Sequence, residues 1–133
     1  MFEVLIVEDD PLFRQILREI LTSRFPSVSI TEEGEGIEAL RLFSAHRPAI
    51  VFMDIKLPGM NGLELTKRMK DADPAVPVII ITNHDAPEYR QAALECGADY
   101  FVSKASSLEE EIETALRSIS AIESAALHSP EVQ

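Results

Sequence analysis

The stretch Ile50–Gly62, IVFMDIKLPGMNG, runs strand-forming apolar residues into an aspartate and then breaks into a loop rich in Pro, Gly and Asn. An ionised carboxylate at the edge of a core is costly unless something compensates it. A turn-forming Asx hydrogen bond or a helix N-cap would be the ordinary compensator. Whether either suffices for Asp54 depends on what the other strand ends bring beside it.

Working outward, short β-rich runs alternate with longer segments of helical period. FEVLIV, SVSI, AIVFM, VPVIIIT and DYFVS are the strand candidates. The third and fourth runs are nearly continuous in apolar residues, as in central strands buried on both faces, and the shorter runs fall at the edges. Between them, Phe13, Ile16, Leu17, Ile20 and Leu21 form a helical stripe, with Asp10 placed to cap it and Pro11 at its first position. Ile37, Leu40 and Phe43 mark a second helix, and Leu65 and Met69 a third. Tyr89, Ala93 and Cys96 mark a weak fourth that Gly97 ends, and Leu108, Ile112, Leu116 and Ile119 mark a fifth. The pattern predicts an α/β fold, (βα)5, a doubly wound parallel sheet covered on both faces. The tail SAALHSPEVQ loses the pattern, and Pro130 forbids a continuing helix there.

The chain has 133 residues and 46% hydrophobic content, enough for one domain with a real core. Its formal charge of −11 would repel phosphate backbones and anionic lipid, so direct nucleic-acid or membrane binding by this chain is not expected. A single cysteine, Cys96, excludes an intrachain disulfide. MFEVLIVEDD has neither a basic start nor a long apolar stretch, and no run approaches the roughly 18 residues of a membrane span, so a cytoplasmic location is expected.

In an open α/β sheet, ligands sit beyond the carboxyl ends of the strands, where strand order reverses. There the first run ends on Glu8, Asp9 and Asp10, the third on Asp54, the fourth on Thr82 and Asn83, and the fifth on Ser103 and Lys104. Carboxylates gathered in one cleft repel one another, and a bound divalent cation is the simplest relief, with a lysine neutralising further. All-oxygen ligands favour Mg²⁺ over zinc. The hydroxyl of Thr82 and the ammonium of Lys104 are donors suited to phosphoryl oxygens. A metal and a lysine in such a cleft would compensate the charge of Asp54 at the end of its apolar strand.

VLIVEDD, FMDIKLPGMNG, VIIIT and GADYFVSK together resemble the receiver domain of bacterial two-component response regulators, the CheY-like family, over Phe2 to about Ala121. The resemblance implies a flavodoxin/CheY-like sheet of order 2-1-3-4-5, with residues 1–121 as receiver and 122–133 as a C-terminal tail or the start of a linker. It implies that Glu8 and Asp9 hold Mg²⁺ together with Asp54 and the backbone carbonyl of Lys56. Asp54 would be the phosphoacceptor, served by a sensor histidine kinase or phosphotransfer protein. Thr82 and Lys104 would bind the phosphoryl oxygens, and Thr82 and Phe101 would switch a surface on the fourth helix, fifth strand and fifth helix. The implied partners of that surface are an output domain, a partner protein or a second copy in a phosphorylation-dependent homodimer. Such a domain is a signalling module, not an enzyme, although it catalyses its own phosphoryl transfer and slow dephosphorylation. The alternatives are a non-phosphorylated pseudo-receiver scaffold and a haloacid-dehalogenase-like phosphatase, which needs a second Asp where Lys56 stands.

Three positions depart from the family's common pattern. Ala105 follows the lysine where many receivers place a proline in a cis peptide, and a non-proline cis bond costs about 2.5 to 4 kcal/mol, so the loop there is free to differ. Lys56 and Asn83 bear on access to the phosphoryl group and hence on its lifetime. Elsewhere, plainer readings prevail: Asp10 as cap, His46, His84 and His128 as solvated residues, Glu109–Glu113 as an exposed first turn, and Cys96 as packing. Tyr100 and Phe101 alternate, which predicts one facing in and one out.

Overall fold

The computed structural model of the chain describes residues 3–127, so Phe2, His128 and Pro130 lie outside the described residues. Strands and helices alternate as β1 (Glu3–Val7), α1 (Pro11–Arg24), β2 (Ser29–Glu33), α2 (Gly36–His46), β3 (Ile50–Met53), α3 (Gly62–Ala72), β4 (Val78–Thr82), α4 (Pro87–Glu95), β5 (Tyr100–Ser103) and α5 (Leu108–Leu127). All strand pairs are parallel, in the order β2-β1-β3-β4-β5. The expected (βα)5 architecture and order 2-1-3-4-5 are thus observed. Strand order reverses between β1 and β3, and the cleft beyond their carboxyl ends is where this topology places a site.

Alternation along each strand divides the core into two layers. Val4, Ile6, Phe52, Ile79 and Ile81 face Phe13, Leu17 and Leu21 of α1 and Ile112, Leu116 and Ile119 of α5. Leu5, Val7, Val51, Met53 and Ile80 face Ala39 and Phe43 of α2, Leu65 and Met69 of α3, and Ala93 of α4. Of the α1 stripe, Phe13, Leu17 and Leu21 are buried, Ile20 is partly buried and Ile16 is 39% exposed. In α2 the stripe is displaced: Ile37 is 60% exposed and Ala39 is buried instead. The cause is close packing at the helix start, where a Cβ on Gly36 would sit 2.5 Å from the Met60 carbonyl oxygen, so the helix is set by that contact and not by Ile37.

Helix starts follow their caps. Asp10 accepts from the Leu12 N–H at 3.0 Å with Pro11 at the first position, and Asn61 accepts from the Leu63 N–H at 2.7 Å. By contrast α4 starts at Ala86 without a side-chain cap and buries only Ala93. Gly97 then takes φ +96°, the left-handed conformation that suits a helix end.

The second strand is longer and later than SVSI suggests. Pro26 and Ser27 lie in a turn closed by the Val28 N–H on the Phe25 carbonyl at 3.0 Å, so pairing with β1 starts at Ser29 and runs through Thr31, Glu32 and Glu33. Helix α5 continues without a break to Leu127, so the boundary expected at residue 121 falls within it. Among the described residues, no helix is long and apolar enough to cross a membrane.

Candidate functional site

The acidic cleft is built from backbone pairing first. The Asp54 N–H donates to the Val7 carbonyl at 2.9 Å and the Glu8 N–H to the Glu33 carbonyl at 2.9 Å, so β1, β2 and β3 set the two carboxylates side by side. Glu8 is 3% and Asp54 8% exposed, while Asp9 projects at the surface. One carboxylate oxygen from each of Glu8, Asp9 and Asp54 lies within 4.8 Å of the others, a set able to hold a metal ion. Oxygen-only donors of net negative charge fit a hard cation such as Mg²⁺.

Lys104 closes the cleft from β5. Its ammonium lies 2.8 Å from Glu8 Oε1 and 3.1 Å from Asp54 Oδ2, and 4.3 Å from the centre of the Phe13 ring. The other Asp54 oxygen accepts from the N–H of the next residue, Ile55, at 2.7 Å, which is not the bond two residues on that an Asx turn requires. Burial pushes the Glu8 carboxyl above its ordinary range, against the hydrogen bonds from Lys104 and the Asp10 N–H. For Lys104, burial disfavours the charge, but the bond to Glu8 and the attraction of Asp54 outweigh it and hold the ammonium above the usual lysine value. The cleft is therefore a buried cation between carboxylates that still repel.

Loop geometry leaves little slack behind Asp54. The Gly62 N–H donates to the Ile55 carbonyl at 2.8 Å, and a Cβ on Gly62 would lie 1.8 Å from the Asp54 carbonyl oxygen. The first turn of α3 thus rests directly on the backbone of the central aspartate.

A family model describing the response regulator receiver domain matches residues 4–117 of the chain. The chain belongs to that family. The probable transcriptional regulatory protein TcrX of Mycobacterium tuberculosis is 36% identical over 107 residues, covering 80% of this chain and 45% of that protein. A solved two-component response regulator of the LuxR family, from Aurantimonas sp. SI85-9A1, superimposes with a TM-score of 0.81 at 33% identity, covering 91% of this receiver and 86% of that chain. A CheY-like receiver from Methanospirillum hungatei JF-1 shares the fold, with a TM-score of 0.83 at 24% identity, covering 94% and 98% of the two chains. This receiver spans less than half the length of curated relatives such as TcrX.

The remaining residues singled out from the sequence lie at different depths. Thr82, at the end of β4, is fully buried and its Oγ1 accepts from the His84 N–H at 3.1 Å, which leaves its own proton to donate. Lys56 is exposed in the loop after β3, with its ammonium 5.6 Å from the Tyr89 ring centre. His84 is partly buried instead of freely solvated, its ring 5.3 Å from that of Tyr89. His46 stays at the surface, 3.6 Å from Glu3. Tyr100 and Phe101 are both half-buried, on opposite faces of the sheet, so the expected one-in, one-out split is replaced by two partly covered rings. The physical reason is that β5 is an edge strand whose two faces are covered by α5 and by the short α4. The guanidinium of Arg90 stacks 4.6 Å above the Phe101 ring. Among the described residues every peptide bond is trans, including that before Ala105.

Two polar contacts were not foreseen. Ser103 donates to Asp85 Oδ2 at 2.7 Å and accepts from the Ala105 N–H at 3.1 Å, joining the loops after β4 and β5. Arg14 donates from Nη1 to the Glu8 carbonyl at 2.9 Å. A helix arginine one turn beyond the acidic run was the available signal for the second, and it could not be separated from an ordinary surface cation.

Proposed function

We propose that this receiver accepts a phosphoryl group on Asp54 from a phosphohistidine of a sensor histidine kinase or phosphotransfer protein, in a Mg²⁺-dependent reaction. The observation that carries the reading is the convergence of Glu8, Asp9 and Asp54 within 4.8 Å, with Lys104 bridging Glu8 and Asp54. Mg²⁺ held by these carboxylates and the Lys56 carbonyl would screen the charge between the attacking aspartate and the phosphoryl oxygens.

The chain's own residues do the rest. A carboxylate oxygen of Asp54 attacks phosphorus as the N–P bond breaks; the electron pair returns to the imidazole nitrogen, which takes up a proton from solvent. The Ile55 N–H and the packed start of α3 hold Asp54 in line. Lys104 exchanges part of its contact with Asp54 for a phosphoryl oxygen, and Thr82 donates to another. Water later hydrolyses the acyl phosphate in the same cleft, with Lys56 and Asn83 affecting its access and so the lifetime of the signal.

Output follows from the weakest element. Helix α4 buries only Ala93, so movement of Thr82 toward the phosphoryl group and of Phe101 from beneath Arg90 would repack α4, β5 and α5 at low cost. An output domain, a partner protein or a second copy that prefers the repacked face would then bind. The reading places receiver function in residues 1–121, with 122–133 as tail or linker, and assigns the protein to the cytoplasm.

The test is incubation with acetyl phosphate, with and without Mg²⁺, followed by intact mass. The wild type should gain one acid-labile phosphoryl group only with Mg²⁺, and Asp54→Asn should gain none. A variant that still gains the group refutes the assignment.

A further inference from the structure

Asp9 presents a puzzle of placement. Among the described residues its carboxylate has no hydrogen-bond or ion-pair partner, whereas Glu8 is held by Lys104 and by the Asp10 N–H at 3.0 Å. An exposed, unanchored carboxylate is aimed only by the backbone that carries it. The peptide joining Glu8 to Asp9 lies just beyond β1, where its carbonyl no longer has a strand neighbour to accept from. Arg14 supplies that partner at 2.9 Å.

The surroundings fit the guanidinium closely. Its Nε lies 3.5 Å from Glu32 of β2, which also pairs with Arg18, so one carboxylate keeps the side chain turned toward the sheet edge. Gly34 leaves room for it: a Cβ there would stand 3.0 Å from Arg14 Nη1 and 3.2 Å from the Asp9 Cα. The guanidinium therefore lies between the Glu8 carbonyl and the Glu32 carboxylate, beside Gly34.

We propose that Arg14 is a positioning residue for the metal-binding acid pair: by holding the Glu8 carbonyl it sets the direction in which Asp9 presents its carboxylate. This rests on the reading of Glu8 and Asp9 as metal ligands. Charge alone argues the opposite outcome, because removing a cation near a divalent-cation site strengthens metal binding. The sign of the effect therefore separates positioning from electrostatics.

The experiment is a calorimetric Mg²⁺ titration of the full chain, with unfolding temperature measured in chelator for the same variants. Arg14→Met keeps most of the apolar stem and removes the donors; Arg14→Leu is a second variant of the same kind. Both should weaken Mg²⁺ binding about tenfold, the size seen when partners that orient metal ligands are lost, with little change in the metal-free unfolding temperature. Unchanged or tighter binding overturns the proposal. So does a collapse of metal-free stability in both variants, which would assign Arg14 to the fold alone. Asp9→Ala, run in parallel, tests the underlying reading: it should weaken Mg²⁺ binding while the metal-free fold holds or gains stability, because repulsion in the cleft is relieved. Unchanged affinity in Asp9→Ala refutes the metal assignment itself, whatever Arg14 does.

Discussion

Gly62→Ala should damage the site from behind without touching any polar group in it. The added Cβ would lie 1.8 Å from the Asp54 carbonyl oxygen, 2.9 Å from the Asp54 carbonyl carbon and 3.0 Å from the Ile55 Cα, all of them backbone atoms. No rotamer change relieves that overlap, so either α3 or the loop after β3 must shift by on the order of 1 Å. The shift also strains the Gly62 N–H bond to Ile55 at 2.8 Å and the Thr66 hydroxyl bond to the Gly62 carbonyl at 2.8 Å. Overpacking of this kind costs about 1 to 3 kcal/mol, at the upper end where only backbone can yield. Alanine's better helix propensity returns up to about 1 kcal/mol, less at a helix start. A net loss of about 2 kcal/mol lowers the unfolding temperature of a domain this size by roughly 5 to 8 °C. Activity should fall further, because a 1 Å misplacement of a reacting group costs on the order of a hundredfold in rate.

Two measurements separate these effects: thermal unfolding in chelator, and the rate of mass gain from acetyl phosphate with Mg²⁺ at a temperature where the variant is folded. Gly97→Ala is the control. Its Cβ would come no closer than 3.4 Å to Lys70, but φ is +96°, so it incurs backbone strain of about 1 to 2 kcal/mol far from Asp54. It should lose a comparable unfolding temperature and keep its phosphorylation rate. If Gly62→Ala phosphorylates as fast as Gly97→Ala, the packing of α3 on Asp54 does not position the nucleophile and the reasoning fails.

Lys104→Met leaves Glu8 and Asp54 facing each other without their shared cation; breaking a buried pair costs about 3 to 5 kcal/mol, so the variant should lose stability in chelator and recover part of it with excess Mg²⁺, which wild type should do to a smaller extent. Equal Mg²⁺ stabilisation of the two proteins would show that the lysine and the metal do not compensate the same charge. Beryllofluoride with Mg²⁺ should alter amide exchange chiefly in residues 83–107, and Thr82→Ala should suppress that change while Asp54 still accepts a phosphoryl group. Exchange changes confined to the loops around Asp9 and Asp54 would refute switching through α4 and Phe101.

What the sequence determined by itself is what neighbours along the chain decide. Apolar runs marked the strands, Asp10 with Pro11 marked the start of α1, and Gly97 marked the end of α4, because each depends on propensity or a cap within a few residues. Asp54 and Lys104 were legible for the same reason: a charge at the end of a buried strand stands out against its own run. The edge strand β2 was read poorly, since its last residues Thr31, Glu32 and Glu33 become a strand through backbone pairing with β1 and ion pairs from α1, neither of which is local. Tertiary structure alone decided that Ile37 is exposed, that Phe101 lies beneath Arg90, that Ser103 reaches Asp85, and that Arg14 holds the Glu8 carbonyl. These contacts depend on which loops the strand order brings together and on separations of a few tenths of an ångström. A one-dimensional pattern carries polarity and period, but not the distance between two elements that meet only after the sheet has formed.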